Sequence, residues 1–285
     1  MTTEVSDSFV IEFEREVHLQ FQQMGSQLMN FCRRKSNVRG YKTTFQVAGK
    51  GVATKKNRHG DVQPMNADRT PVEVTLEDWY APEFVDKLDE LKLNHDEQTV
   101  CARTCAAALG RRTDALIIAA LDAGTYSGAN VVGDGTTALT RNMALQATEG
   151  LRATGYRGMV PDVVACVGNR EWSSLMTLDE FVDADKIGVD NLPYKNGAFD
   201  NRSWMGVLWM WHPDLTTNGS GHKLNYMWHR DALGCAFGQD VKTEINYVPQ
   251  KVAHLVNSMM SLGAKIIDNT GVVQFKTDAD IAIPT

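Results

Sequence analysis

Apolar residues recur every three or four positions across residues 8–30, at Phe9, Phe13, Val17, Phe21, Met24 and Leu28. A single stripe of this kind predicts an amphipathic helix. Ser6 and Ser8 supply capping oxygens, and Glu12, Glu14 and Glu16 lie toward the end where a helix dipole favours acids. Such a terminal helix must dock on its own domain or on a neighbouring subunit. The period then changes to two. Val72, Val74 and Leu76 alternate with Glu73, Thr75 and Glu77, and Tyr41, Thr43, Phe45 and Val47 alternate less purely, so 41–48 and 71–78 read as strands. Between them, 49–70 is polar and basic and carries Gly49, Gly51, Gly60 and Pro64. It exceeds the ~12–15 residues beyond which a structureless connection is usually functional or mobile. Each strand spans roughly 26 Å at ~3.3 Å per residue. The result is a long two-stranded arm with a charged tip. A lone hairpin is only marginally stable in water, so the arm needs a surface to lie against.

Residues 80–93 (YAPEFVDKLDELKL) predict a connector with a short helix after Pro82. The strongest helix covers 96–123, with Asp96 as N-cap and an apolar surface of Val100, Ala107, Leu109, Leu116, Ile117 and Leu121. Gly110 interrupts it at ~1 kcal/mol relative to Ala, and Gly124 stands where a C′ glycine is expected. At ~1.5 Å per residue this helix is about 42 Å long, a spine rather than a domain-sized element. Further along come a Gly/Thr-rich loop at 125–137, a helix at 138–153, a strand at 162–168 and a helix over NREWSSLMT. Residues 178–203 are mostly irregular. WMGVLWMW (204–211) reads as one buried strand and 224–228 as another. A short helix at 229–234, a strand near 241–248 and a hairpin formed by 251–267 and 271–277 complete the chain. Strands and helices do not alternate regularly, which predicts an α+β fold.

Composition adds limits. Of 285 residues 43% are hydrophobic and 22% charged, an ordinary globular balance. No apolar run approaches the ~18 residues that span a bilayer, so no membrane partner is expected. The acidic N-terminus does not read as a secretory signal. The five cysteines, Cys32, Cys101, Cys105, Cys166 and Cys235, are expected to be reduced thiols. The net charge of −6 is unevenly spread. From Arg33 to Arg69 ten bases face only Asp61 and Asp68, a net +8, which leaves −14 on the remainder. Such asymmetry marks an electrostatic contact surface, the plainer reading being a solvated loop.

Candidate chemistry is thin. There is no Walker A run, no H-E-x-x-H and no G-x-S-x-G, and the VVGDGTT stretch lacks the third glycine of a dinucleotide fingerprint. His229-Arg230-Asp231 opens like a kinase catalytic loop, but Ala236 stands where the magnesium-binding Asn belongs. Cys101 and Cys105, four residues apart, share a helix face with His95 a turn earlier. A zinc site needs a further ligand cluster, so small packing residues are the better reading. His212, His222 and His229 with Asp214 and Asp231 have no spacing that requires a site. Of six tryptophans, Trp79, Trp172, Trp204, Trp209, Trp211 and Trp228, three fall in one apolar run, which favours core packing over stacking. No catalytic, cofactor-binding or metal residue is assigned and no cofactor is expected. The outward-reaching elements describe a protein whose function is assembly.

The order of parts resembles the major capsid protein of tailed bacteriophages, the HK97-like fold. The local match lies in YAPEFVDKLDELKL followed by Ala106, Gly110, Arg111, Asp114 and Ile117 on the spine helix. It continues in LNYMWHRDALGCAFGQDVKTEI, with Trp228, His229, Ala232 and Ile245, and in Ser261, Gly263, Ala264, Asp268, Gly271, Val272 and Val273. The resemblance runs from about residue 37 to the C-terminus. It implies an N-terminal arm (1–36), an extended hairpin called the E-loop (37–79), a peripheral domain with the spine helix (80–136), an axial domain (137–247) and a return to the peripheral domain (248–285). It implies no enzyme but a structural protein of the virion, assembled in the host cytoplasm into hexamers and pentamers of an icosahedral shell. The shell would enclose double-stranded DNA without sequence-specific binding. Subunit contacts are expected from Arg39, Lys42, Lys50, Lys55, Lys56, Arg58 and Arg69 in the E-loop and from Phe9, Phe13, Val17 and Phe21 in the arm. Because only ~36 residues precede the E-loop, a separate scaffolding protein is implied, with a portal and a decoration protein as further partners. Some relatives cross-link a Lys to an Asn, and Lys50, Lys55 and Lys56 are available at the tip. An encapsulin-type compartment shell shares the fold, and a thiol or metal enzyme on Cys101, Cys105 and His95 is the other alternative.

Overall fold

The computed structural model describes residues 22–90, 96–155, 162–182 and 201–280. Most of the helix expected over 8–30 lies outside these residues, and its described end is not helical. Residues 22–28 lead without a helix into a 3-10 turn at Met29–Phe31. Gly25 adopts φ +89°, a conformation that ends a right-handed helix. Met24 is exposed while Leu28 is fully buried, so the apolar stripe does not continue to the end of this segment.

A short strand β1 (Arg33–Lys35) precedes the arm, which is built from β2 (Lys42–Ala48) and β3 (Arg69–Thr75), paired antiparallel from Lys42↔Thr75 to Ala48↔Arg69. The connector expected to turn helical after Pro82 is instead a strand, β4 (Glu77–Asp86), and helix α1 (Lys87–Glu90) begins only after it. Pro82 is compatible with β4 because β4 is an edge strand, on which alternate N–H groups have no ladder partner. The spine is α2 (Glu97–Asp122), with the Asp96 carboxylate accepting the Thr99 N–H at 3.3 Å. Gly124 does not adopt a left-handed cap. It is required by space, because a Cβ there would meet the Tyr126 hydroxyl and Ile266. That hydroxyl donates to the Leu121 carbonyl at 2.5 Å and satisfies the helix end.

Then follow β5 (Val131–Val132), α3 (Arg141–Ala153), β6 (Val163–Val167), α4 (Asn169–Leu175), α5 (Asp179–Val182), β7 (Asn201–Trp204), β8 (Val207–Trp211), β9 (His222–His229), β10 (Leu233–Val248), β11 (Ala253–Ile266) and β12 (Val272–Asp278). The run 204–211 is therefore not one strand. Met205 (φ +55°) and Gly206 (φ +76°) make a two-residue turn between β7 and β8. Residues 251–267 and 271–277 are not a hairpin either. β11 is a neighbour of β10 in a four-stranded sheet ordered β1-β10-β11-β4, whereas β12 belongs to a six-stranded sheet ordered β5-β12-β9-β6-β8-β7. The switch occurs at Ile267 and Asp268, whose N–H groups both donate to the Ala232 carbonyl.

Two compact units divide the chain. One gathers residues up to 26 with 78–112 and 239–261, the other 27–77, 113–238 and 262–285. In the larger unit, alternate residues of the six-stranded sheet feed two cores. Val164, Cys166, Tyr226 and Trp228 pack with Ile117 and Leu121 of α2. Val163, Ala165, Met227 and Phe275 pack with Met143, Ala147 and Leu151 of α3 and with Trp172 of α4. The smaller unit has its own small core of Val85, Cys101 and Val256.

Candidate assembly surfaces

The arm is anchored at its base and exposed at its tip. Phe45, Val74 and Leu76 pack on Ala236, with Val38 and Ile267 alongside. Two glycines make room for it. A Cβ on Gly234 would come within 2.8 Å of the Phe45 ring, and one on Gly263 would collide with the Thr75 carbonyl oxygen. Beyond the Gly49 N–H bond to the Asp68 carbonyl, residues 50–66 are exposed throughout. The predicted contact residues Arg39, Lys42, Lys50, Lys55, Lys56, Arg58 and Arg69 are all exposed. Lys42 pairs with Glu73 at 3.4 Å, and Lys50 donates to the Thr154 carbonyl at 3.1 Å. Exposed pairs of this kind contribute ~0–1 kcal/mol each and leave the tip's charge available. Phe9, Phe13, Val17 and Phe21 lie outside the described residues.

The spine residues quoted above for their pattern hold the chain on its way to the arm. In the smaller unit, a Cβ on Gly110 would lie 2.5 Å from the Gly25 Cα, so the two backbones touch only because residue 110 is glycine. Arg111 donates to the Gln22 side chain at 2.7 Å and to the Gln23 carbonyl at 3.4 Å. In the larger unit, the fully buried Asp114 carboxylate accepts the N–H groups of Gln27 (2.9 Å) and Leu28 (3.1 Å). His212 Nδ1 accepts the Asp214 N–H, which leaves the proton on Nε2, 3.4 Å from the same carboxylate. Residue spacing did not assign Asp114 this work. The available signal was an acid on the apolar stripe that holds Ile117 and Leu121.

The candidate chemical groups are taken up structurally. Cys101 is buried, and its thiol is pushed up to about 12 by burial, with Glu83 and Glu97 adding. Cys105 is raised for the same first reason. Cys32 is raised chiefly by its hydrogen bond with Cys235 and then by burial, and burial raises Cys166. A protonated thiol is neither nucleophile nor metal ligand. His95 lies outside the described residues, among which no three His, Cys, Asp or Glu cluster as metal ligands. His222 Nδ1 donates to the Gly135 carbonyl at 2.7 Å, and His229 Nδ1 accepts the Asp231 N–H at 3.1 Å. Trp172, Phe181, Trp204, Trp209 and Phe275 form a chain of ring contacts 5.4–6.2 Å apart inside the larger core. Trp228 donates to the Phe31 carbonyl at 2.9 Å. A groove of about 410 Å³ between the end of α2 and β11 is lined mainly by small residues such as Ala119, Ala120, Gly124 and Gly263.

Among the described residues, the exposed arm and the anchored spine are surfaces for contact. A family model described as phage capsid protein matches residues 5–278, and the chain belongs to that family. Among curated proteins no sequence match was found. Solved structures with the same fold include the capsid of cyanophage P-SCSP1u, 14% identical with a TM-score of 0.77 over 98% of this chain and 96% of that one. The capsid of a native GTA particle is 12% identical, with a TM-score of 0.74 over 97% and 98%. The capsid of Ralstonia phage GP4 is 14% identical, with a TM-score of 0.71 over the whole of both chains. The α+β, HK97-like fold expected from the sequence is the fold observed, and the protein is a structural component of a phage capsid, built from copies of itself within the virion. An encapsulin-type shell is not favoured by these matches.

Proposed function

We propose that the chain is the major capsid protein of a tailed phage, forming the hexamers and pentamers of an icosahedral head around double-stranded DNA. In this reading 1–36 is the N-terminal arm, 37–79 the E-loop, 80–136 with 248–285 the peripheral domain and 137–247 the axial domain. The protein is not an enzyme. It assembles in the host cytoplasm with a scaffolding protein, a portal and a decoration protein as partners. The observation that carries the reading is the β2–β3 arm, whose base is buried while its basic tip is exposed. Across a neighbouring subunit, Arg39, Lys42, Lys50, Lys55, Lys56, Arg58 and Arg69 would face part of the acidic remainder of the chain, and Phe9, Phe13, Val17 and Phe21 would add an apolar contact. Individually weak ion pairs fix register and exclude wrong partners, and repetition around the lattice makes modest contacts strong. Deleting residues 50–69 tests it. The expected product is a folded subunit that does not close into shells, and normal-sized particles would refute the role given to the arm.

A further inference from the structure

Arg202 is a buried cation with no hydrogen-bond acceptor among the described residues. It lies on β7, an edge strand paired with β8, where Arg202 and Trp204 turn inward while Asn201 and Ser203 face out. The residue is only 8% exposed, yet among the described residues none of its Nε, Nη1 and Nη2 atoms has a hydrogen-bond partner. Its guanidinium carbon lies 4.9 Å from the centre of the Phe181 ring, and Phe181 meets Trp204 edge-on at 5.4 Å. A ring face attracts a cation but accepts none of the five guanidinium hydrogens in the fork. Burial of the unpaired charge lowers the Arg202 pKa, the direction expected when the charged form is disfavoured. Buried charges are ordinarily paired, and the planar fork of a guanidinium matches a carboxylate through two parallel bonds.

We propose that Arg202 is the receptor for a carboxylate side chain delivered by a second copy of this chain, so that the pair is completed on assembly. The proposal rests on the capsid reading above. Two observations favour a second copy as the source. Arg202 is on the last strand of its sheet, with a described neighbour on one side only. The bases of the chain are concentrated between residues 33 and 69, which leaves the rest of each copy strongly acidic and rich in carboxylates.

The test uses the full chain with Arg202→Met, which keeps length without charge, and Arg202→Lys, which keeps charge without the fork. Thermal unfolding is followed on unassembled subunits, and the concentration threshold for shell formation is read by light scattering. Shells from the unaltered chain establish assembly independently of the Arg202 result. The expected outcome is a subunit Tm that is unchanged or raised in Arg202→Met, because an unpaired buried charge has been removed, together with an assembly threshold raised by about tenfold or more in both variants. A Tm lowered in both variants would put the acceptor within the same chain and overturn the proposal. An unchanged threshold in both would overturn it as well.

Discussion

Replacing Asp114 with Ala removes the acceptor that holds the chain entering the arm. The carboxylate is fully buried and takes two backbone N–H groups, from Gln27 and Leu28, as well as the Nε2 proton of His212. The buried Leu28 N–H and His212 donors cost about 1–3 kcal/mol each if left unpaired, and the half-buried Gln27 N–H adds less. Removal of a desolvated charge returns part of that, and breaking a buried pair from one side typically nets a loss of about 3–5 kcal/mol. Against a total stability of about 5–15 kcal/mol this is large enough to read directly. Urea unfolding of unassembled subunits gives the loss. Amide exchange at Gln27 and Leu28 shows whether it is local, since both N–H groups should lose protection in Asp114→Ala. Asp114→Asn keeps one acceptor oxygen and should fall between Ala and the unaltered chain. An unfolding free energy within ~0.5 kcal/mol of the unaltered chain, with protection at Leu28 retained, would refute the anchoring role.

Gly263→Ala puts a Cβ against the Thr75 carbonyl at the arm's base and should cost about 1–3 kcal/mol; an unchanged Tm would mean that the backbones are not in contact. Stability should fall on both sides of neutrality. The Cys101 thiol, raised from 9.0 to about 12 by burial, contributes fully below pH 9 and loses that contribution as pH climbs from 9 toward 12. His229, lowered from 6.5 by burial, contributes above that pH and loses its contribution as pH falls below it. A urea midpoint flat across both ranges would contradict these assignments. Neutralising Lys55, Lys56 and Arg58 together should leave the subunit's Tm nearly unchanged and weaken the salt dependence of assembly. An unchanged salt dependence would make the tip's charge merely solvating.

Much of the fold was legible because periodicity reports burial. The alternation in 41–48 and 71–78 and the stripe on α2 both correspond to faces that pack. The failures share a physical cause: they fall where geometry is set by distant partners. Met205, a non-glycine at φ +55°, looks like its apolar neighbours, which leaves Gly206 as the one local sign of the β7–β8 turn inside the apolar run. The Asp268–Gly271 segment does turn, with the Asp268 carboxylate accepting the Thr270 N–H at 2.9 Å, but the strands on either side belong to different sheets. β10 begins at Leu233 rather than near 241 because Gly234, Cys235 and Ala236 are buried continuously and so show no alternation. The arm's basic residues could be read from charge alone. Gly110, Arg111 and Asp114 could be quoted only as a pattern, because their role depends on residues some 85–90 positions away. Arg202 was missed although it alternates with Trp204 on one face of β7.

The most direct measurement of the central claim is electron microscopy of the purified, expressed protein under assembly conditions. The account predicts closed shells of uniform icosahedral geometry built from rings of five and six subunits. Dispersed subunits that never form shells, with or without a co-expressed scaffolding protein, would contradict it.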